Sequence, residues 1–233
     1  MAYAQRVSLN CLEYLCDVYD KLPDSSRKEI TWSSYGSPLI EIVKGCNWAA
    51  IRIVEKHREF MDNLVDEPFD DNANTPMLIA VRESNIEIAK WLINLPGKNP
   101  DIEKKNVEGE SPIYLAALKG QVEVIKEMLS ALYPRSQKRR ETLFANENLY
   151  GIGHSIFYPA SQSGKPAILD FLMKEKAARR LLQRELQHSQ SETFILGVCH
   201  SGSEKFLKTM LELHKDLQIG GLKDKEGVTP LMR

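Results

Sequence analysis

No stretch of this chain approaches the ~20 consecutive apolar residues that a membrane-spanning helix needs. Its opening, MAYAQRVSLNCLEYLCDVYDKL, has no long apolar core and carries acids early, which excludes a secretory signal. Cysteine is scarce: Cys11, Cys16, Cys46 and Cys199 are the only 4 in 233 residues. None forms a C-x-x-C and none has a histidine at metal-ligand spacing, so no zinc pattern is present and a disulfide framework is not expected. The expectation is reduced, mostly buried thiols and a reducing compartment, cytoplasm or nucleus. An excess of either charge is missing too. The net charge is −1, so no overall field draws nucleic acid or an anionic membrane.

Catalytic arrangements are equally lacking. The five histidines are His57, His154, His188, His200 and His214, and none has a nucleophile at a fixed spacing. Gly164-Lys165 is followed by Pro166 and has no upstream glycine, so it is not a phosphate-binding loop. Gly151-x-Gly153 marks a turn and lacks the strand and βαβ unit of a dinucleotide fold. No RNA-binding aromatic strand motif exists. The sequence points to no enzyme, no cofactor and no metal.

What the chain has is a repeat, centred on Ser111 to Leu132. Ser111 suits an N-cap and Pro112 the first helical position, where its missing N–H has no partner to lose. Ile113, Leu115, Ala116 and Ala117 follow at helical spacing. Gly120 ends the helix, and a second apolar series runs through Val122, Val124, Ile125, Met128, Leu129 and Leu132. Two short helices joined by a tight turn form an αα-hairpin, each with an apolar stripe that it cannot bury alone. Related units recur. Caps fall at Ser37, Thr75, Ser111, Ser155, Thr193 and Thr229, spaced 38, 36, 44, 38 and 36 residues apart. The small or aliphatic position reads Ile42, Ala80, Ala116, Ala160 and Val198. The turn position reads Cys46, Ser84, Gly120, Gly164 and Gly202.

This register resembles the ankyrin repeat, which recurs at about 33 residues with a β-turn, two helices and a T-P-L-H-x-A signature. The signature survives as Ser37-Pro38-Leu39, Thr75-Pro76-Met77-Leu78-Ile79-Ala80, Ser111-Pro112-Ile113-Tyr114-Leu115-Ala116 and Thr229-Pro230-Leu231. The preceding turn is visible at Asn106 to Ser111 and at Asp224 to Thr229. The family's histidine is replaced by Ile40, Leu78, Tyr114, Tyr158 and Leu196. The copies at Ser155 and Thr193 lack the proline, and every spacing exceeds the family period. The resemblance implies an all-α solenoid of about five repeats, over 33–70, 71–106, 107–150, 151–188 and 189–217. Residues 218–233 begin a sixth repeat or cover the last one.

Ahead of the repeats, residues 3 to 22 read as one amphipathic capping helix with Val7, Leu12, Leu15, Tyr19 and Leu22 on one broad face, stopped by Pro23. Residues 1–32 thus form a cap and its connector. Ser26 and Glu29 have capping-box spacing. Trp32 is expected against the first repeat, which runs from Ser37 to about Phe60, and Trp48 and Trp91 are expected to pack between repeats. Residues 133–154 hold a basic run (Arg135, Lys138, Arg139, Arg140) and then apolar Leu143, Phe144, Leu149, Tyr150 and Ile152. They read either as an outer helix extended to Phe144 or as a partner-contacting finger. The fourth outer helix is expected to run on through Arg179, Arg180 and Arg184 as an ordinary solvated face. Binding of a polyanion by these two basic runs is the lesser reading.

Stacked repeats leave an extended surface free for another macromolecule. The resemblance places binding at the turn tips and the exposed ends of the inner helices. The tips are Asp71, Asn72 and Asn74; Val107, Glu108 and Glu110; and Tyr150 and Ile152. Lys225, Glu226 and Val228 would tip the last. The helix ends are Arg82 and Glu83, Leu118 and Lys119, Gln162 and Ser163, and His200 and Ser201. Leu118, Tyr150 and Ile152 stand out as apolar anchors. The implied function is a non-catalytic, monomeric protein-binding scaffold, with nucleic acid not expected as a partner. The alternative is the targeting region of a longer enzyme or effector. The interrupted sixth repeat suggests a longer parent, and the divergent signature and composition look similar to ankyrin proteins that intracellular bacteria deliver into host cytoplasm.

Overall fold

The computed structural model describes residues 8–30, 37–68, 70–96, 98–132, 137–145, 155–185, 204 and 207–208. All regular structure among them is helical. The chain divides between Pro112 and Ile113 into two compact units.

The first unit contains α1 (Leu9–Lys21), α2 (Asp24–Glu29), α3 (Pro38–Gly45), α4 (Trp48–Val54), α5 (Arg58–Leu64), α6 (Pro76–Arg82) and α7 (Ile86–Ile93). The pairs α3–α4 and α6–α7 are the first two repeats, and inner helix α3 packs on inner helix α6. Leu39, Ile40, Ile42 and Val43 of α3 and Met77 through Val81 of α6 are buried. Each fully buried aliphatic side chain contributes about 1.5–3 kcal/mol relative to exposure.

Pro38 and Pro76 open their helices, as the spacing predicts. Thr75 Oγ1 accepts the Leu78 N–H at 3.3 Å. Ser37 makes no such side-chain cap. Two caps went unforeseen: Asn47 and Asn85, each just past a turn, accept the N–H of Ala50 at 3.1 Å and of Ile88 at 3.2 Å. Ser26 forms no capping box. It lies inside α2, whose N-cap position is Pro23.

Helix α1 packs on α4 and α5 and buries Leu12, Cys16 and Tyr19. It therefore covers one side of the first repeat. Two polar contacts fasten it. The Arg27 guanidinium donates to the carbonyls of Tyr19 at 3.2 Å and Asp20 at 2.6 Å, satisfying acceptors at the helix end, and pairs with Glu59 at 3.1 Å. His57 Nδ1 lies 2.8 Å from Asp20 Oδ2.

Helix α5 was not expected. Phe60 is buried inside it and meets the Tyr19 ring edge-on at 5.2 Å. Trp48 also departs from its expected packing. It stands 46% exposed at the first position of α4. Trp91 is half-buried and donates to Glu55 at 2.7 Å. Cys11 and Cys46 are exposed rather than buried; Cys16 is buried.

The second unit carries the rest of α8 (Pro112–Leu118), then α9 (Val122–Leu132), α10 (Gln137–Phe144), α11 (Phe157–Gln162), α12 (Pro166–Lys174) and α13 (Lys176–Glu185). Outer helix α9 packs on outer helix α12. The run ending at Phe144 is helical from Gln137, as α10, and buries Leu143 and Phe144. The fourth outer helix does not run on. Its backbone turns extended at Glu175 (φ −79°, ψ 119°), and α13 follows as a separate helix packed on α12 and α10. A further helix thus follows the outer helix in the first and fourth repeats, and α10 follows α9 in the third; these three have the longest spacings, 38, 38 and 44 residues. No helix among the described residues is long and apolar enough to cross a membrane. Trp32, Tyr150, Ile152, Cys199, His200, Ser201, the fifth repeat apart from residues 204 and 207–208, and residues 218–233 lie outside the described residues.

Candidate interaction surface

Two turns in the first unit share one construction. Asp70 Oδ1 accepts the Asn74 N–H at 2.8 Å, Asp70 Oδ2 accepts Asn74 Nδ2–H at 2.7 Å, and the Asp70 carbonyl accepts the Ala73 N–H at 2.8 Å. Thirty-six residues on, Asn106 Oδ1 accepts the Glu110 N–H at 2.8 Å, and the Asn106 carbonyl accepts the Gly109 N–H at 3.0 Å. Asp and Asn side chains favour such turns because they bond the backbone a few residues ahead. The fourth residue of each turn is left-handed, Ala73 (φ 55°) and Gly109 (φ 76°).

The turns are also bonded to each other. The Val107 N–H donates to the Asn72 carbonyl at 2.9 Å, and Asn106 Nδ2 donates to Asn74 Oδ1 at 3.2 Å. Arg82, at the end of α6, reaches Glu110 at 3.0 Å and Glu108 at 3.8 Å. Burial works against the charge on Asp70, yet its bonds from Asn74 and the nearby Arg82 outweigh that and hold its carboxyl below the usual range. The result is a hydrogen-bonded edge that joins the two turns and the end of α6.

The expected contact residues sort themselves on this edge. Asp71, Asn72, Val107 and Glu108 are exposed at the tips, with Glu83 exposed at the end of α6. Val107 is 58% exposed. Arg82 and Glu110 are half-buried and hold each other. Asn74 is no tip: it is 1% exposed, because its amide serves Asp70 and Asn106. In the second unit, Gln162 is exposed, while Leu118, Lys119 and Ser163 are half-buried. Ser163 Oγ donates to the Ala160 carbonyl at 2.7 Å, and the Lys119 carbonyl accepts Lys165 Nζ–H at 2.7 Å. Sequence reasoning missed Asp70 and Asn106 as the residues that build the turns. The signal was available: an Asp or Asn four residues before the last residue of each turn.

The grooves of the first unit hold groups that are already paired. One, of about 380 Å³, is bordered by Tyr19, Arg27, Asn63, Asp66, Lys98 and Lys104. There Lys98 meets the Asp66 carboxylate at 3.1 Å and Lys104 the Asp66 carbonyl at 2.6 Å. Among the described residues, no three His, Cys, Asp or Glu side chains are placed to hold a metal ion.

A family model described as ankyrin repeats in three copies matches residues 46–138 and, overlapping, residues 77–180, together more than half of the chain. Among solved structures, the chain is similar to the crystal structure of EF0377, an ankyrin repeat protein. Identity is 20%, the match covers 83% of this chain and 87% of that one, and the TM-score is 0.50. At that identity the likeness is one of fold. No curated protein matches.

Proposed function

The chain belongs to the ankyrin repeat family, whose members are generally protein-interaction scaffolds, and on that premise we propose that it is a non-catalytic scaffold engaging a partner protein through the paired turns of its first unit. The observation that carries this reading is Val107. A large apolar side chain stands 58% exposed on a turn locked by bonds to Asn72, Asn74 and Arg82's partner Glu110. An apolar side chain held on a preordered turn loses little freedom on binding and removes apolar surface from water. Asp71, Asn72, Glu83 and Glu108 around it form a polar rim that sets rate and register. Free Cys11, Cys16 and Cys46 are consistent with a reducing compartment.

The test compares the wild-type chain with Val107→Asp and with an exposed control, Glu87→Ala, as bait in extracts of the cells that make it. Proteins held by wild type and control are expected to fall about tenfold or more with Val107→Asp. Equal capture by all three would retire this edge as the contact surface.

A further inference from the structure

Helices α10 and α13 lie about forty residues apart in sequence and are neighbours in the second unit. Helices α10 and α13 together carry seven basic residues and two acidic ones. They pack against each other, with Leu143 and Phe144 of α10 and Ala177, Ala178, Leu181 and Leu182 of α13 buried. Their register is fixed by crossed ion pairs. Arg140 of α10 holds Glu175, just ahead of α13, at 2.9 Å, and Arg180 of α13 holds Glu141 of α10 at 3.1 Å. The apolar sides are turned inward, and Lys138, Lys176 and Arg179 remain exposed, with no described carboxylate pairing any of them. Lys176, Arg179 and Arg180 lie at i, i+3 and i+4, one side of a helix, where like charges weaken it.

We propose that the α10–α13 face is a second docking surface, and that its occupant is a Glu/Asp-rich segment of a partner protein. Three observations select that occupant among polyanions. Two guanidinium groups here already grip carboxylates at hydrogen-bond distance, the geometry an acidic segment would extend. The only aromatic residue of the two helices, Phe144, is buried, so no ring is offered for stacking bases. The apolar residues point inward, so nothing is offered for insertion among lipid tails. The proposal uses no residue of the Val107 edge, and loss of one leaves the other standing.

The experiment uses the full chain and a fluorescein-labelled poly-glutamate peptide, with poly-glutamine of the same length as its neutral control. Saturable binding of poly-glutamate at low salt, weakened about tenfold by K138E/K176E/R179E, is expected. Loss of binding at high salt should accompany it. Should the reversed-charge chain lose its helical circular dichroism, the K138Q/K176Q/R179Q chain is used, with the same direction expected. Binding no tighter than poly-glutamine overturns the proposal, as does binding that the substitutions leave unchanged. Tighter binding of a DNA duplex or of phosphatidylserine vesicles gives the face to those partners instead. Sedimentation showing salt-sensitive dimers that the triple variant abolishes gives it to a second copy of the chain.

Discussion

Cys16 lies on the buried side of α1 with Glu13, Asp17 and Asp20 around it. Burial first, and then those carboxylates, push its thiol up to about 12. A thiol is nucleophilic only as its thiolate, so this one is inert in the folded chain. Cys11 and Cys46 are exposed. Iodoacetamide at about pH 8 is expected to alkylate Cys11 and Cys46 first and Cys16 only in urea, read by peptide mass mapping. Because the fold keeps the Cys16 proton where the unfolded chain would release it, the direction in pH follows. Stability is undisturbed below the unfolded thiol's value of about 8.5 and falls as pH rises from there toward that of the folded thiol. Equal labelling of all three thiols in the native chain would mean that α1 does not stay seated on α4 and α5. Asp70 has the opposite sign. Its lowered carboxyl favours the fold above the ordinary aspartate range, and that contribution fades as the solution is acidified through it.

At the scale of the element, the turn between inner and outer helix is the most regular feature of the chain. Cys46, Ser84, Gly120 and Gly164 all hold left-handed backbone, with φ of 50°, 57°, 62° and 65°. In the first three copies the N–H after this residue returns to the carbonyl of Ile42, Ala80 or Ala116, at 3.1, 2.9 and 2.8 Å, which closes the helix end. The fourth copy differs: the Lys165 N–H is taken by Ser163 Oγ at 3.1 Å. Gly120 and Gly164 therefore test two effects separately. An alanine at Gly164 would meet nothing within 4 Å and carries only the left-handed strain, about 1–2 kcal/mol. At Gly120 the added Cβ would lie 2.5 Å from Lys165 Cδ and 3.0 Å from its Cβ, displacing a side chain whose Nζ–H donates to the Lys119 carbonyl at 2.7 Å. Gly120→Ala should lower the urea midpoint further than Gly164→Ala, by about 1 kcal/mol in the derived stability. Equal midpoints would show that Lys165 does not bind the third repeat to the fourth.

These turns were legible in the sequence even at Cys46 and Ser84, where no glycine marks them, because register alone placed them. The third helices were not. The breaks before α5 and α13 fall at His57 (φ −111°, ψ 77°) and Glu175 (φ −79°, ψ 119°), with no proline or glycine to announce them. Each helix beyond the break keeps an apolar face that reads as more of the outer helix. At the candidate surface, register found the exposed tips Asp71, Asn72, Val107 and Glu108. It misjudged Asn74, since a polar turn residue and a buried turn-building one look alike until its bonds to Asp70 and Asn106 are seen.

At the scale of the whole molecule, the net charge of −1 conceals an uneven distribution. Residues 1–112 hold 13 basic and 19 acidic side chains, while residues 113–233 hold 18 and 13. Solution behaviour at low salt depends on local field as much as on the total, since charges beyond a Debye length of about 10 Å at 0.1 M salt hardly feel one another. A chain of pI about 6.5 with evenly mixed charge should pass a cation exchanger at about pH 7.5. This one is expected to be retained there at low salt through its second half, and also on an anion exchanger through its first. Neutralising Lys138, Lys176 and Arg179 should bring elution from the cation exchanger to lower salt and leave the anion exchanger profile nearly unchanged. That asymmetry distinguishes a localised basic face from a general shift in net charge, which would move the two profiles in opposite directions by similar amounts.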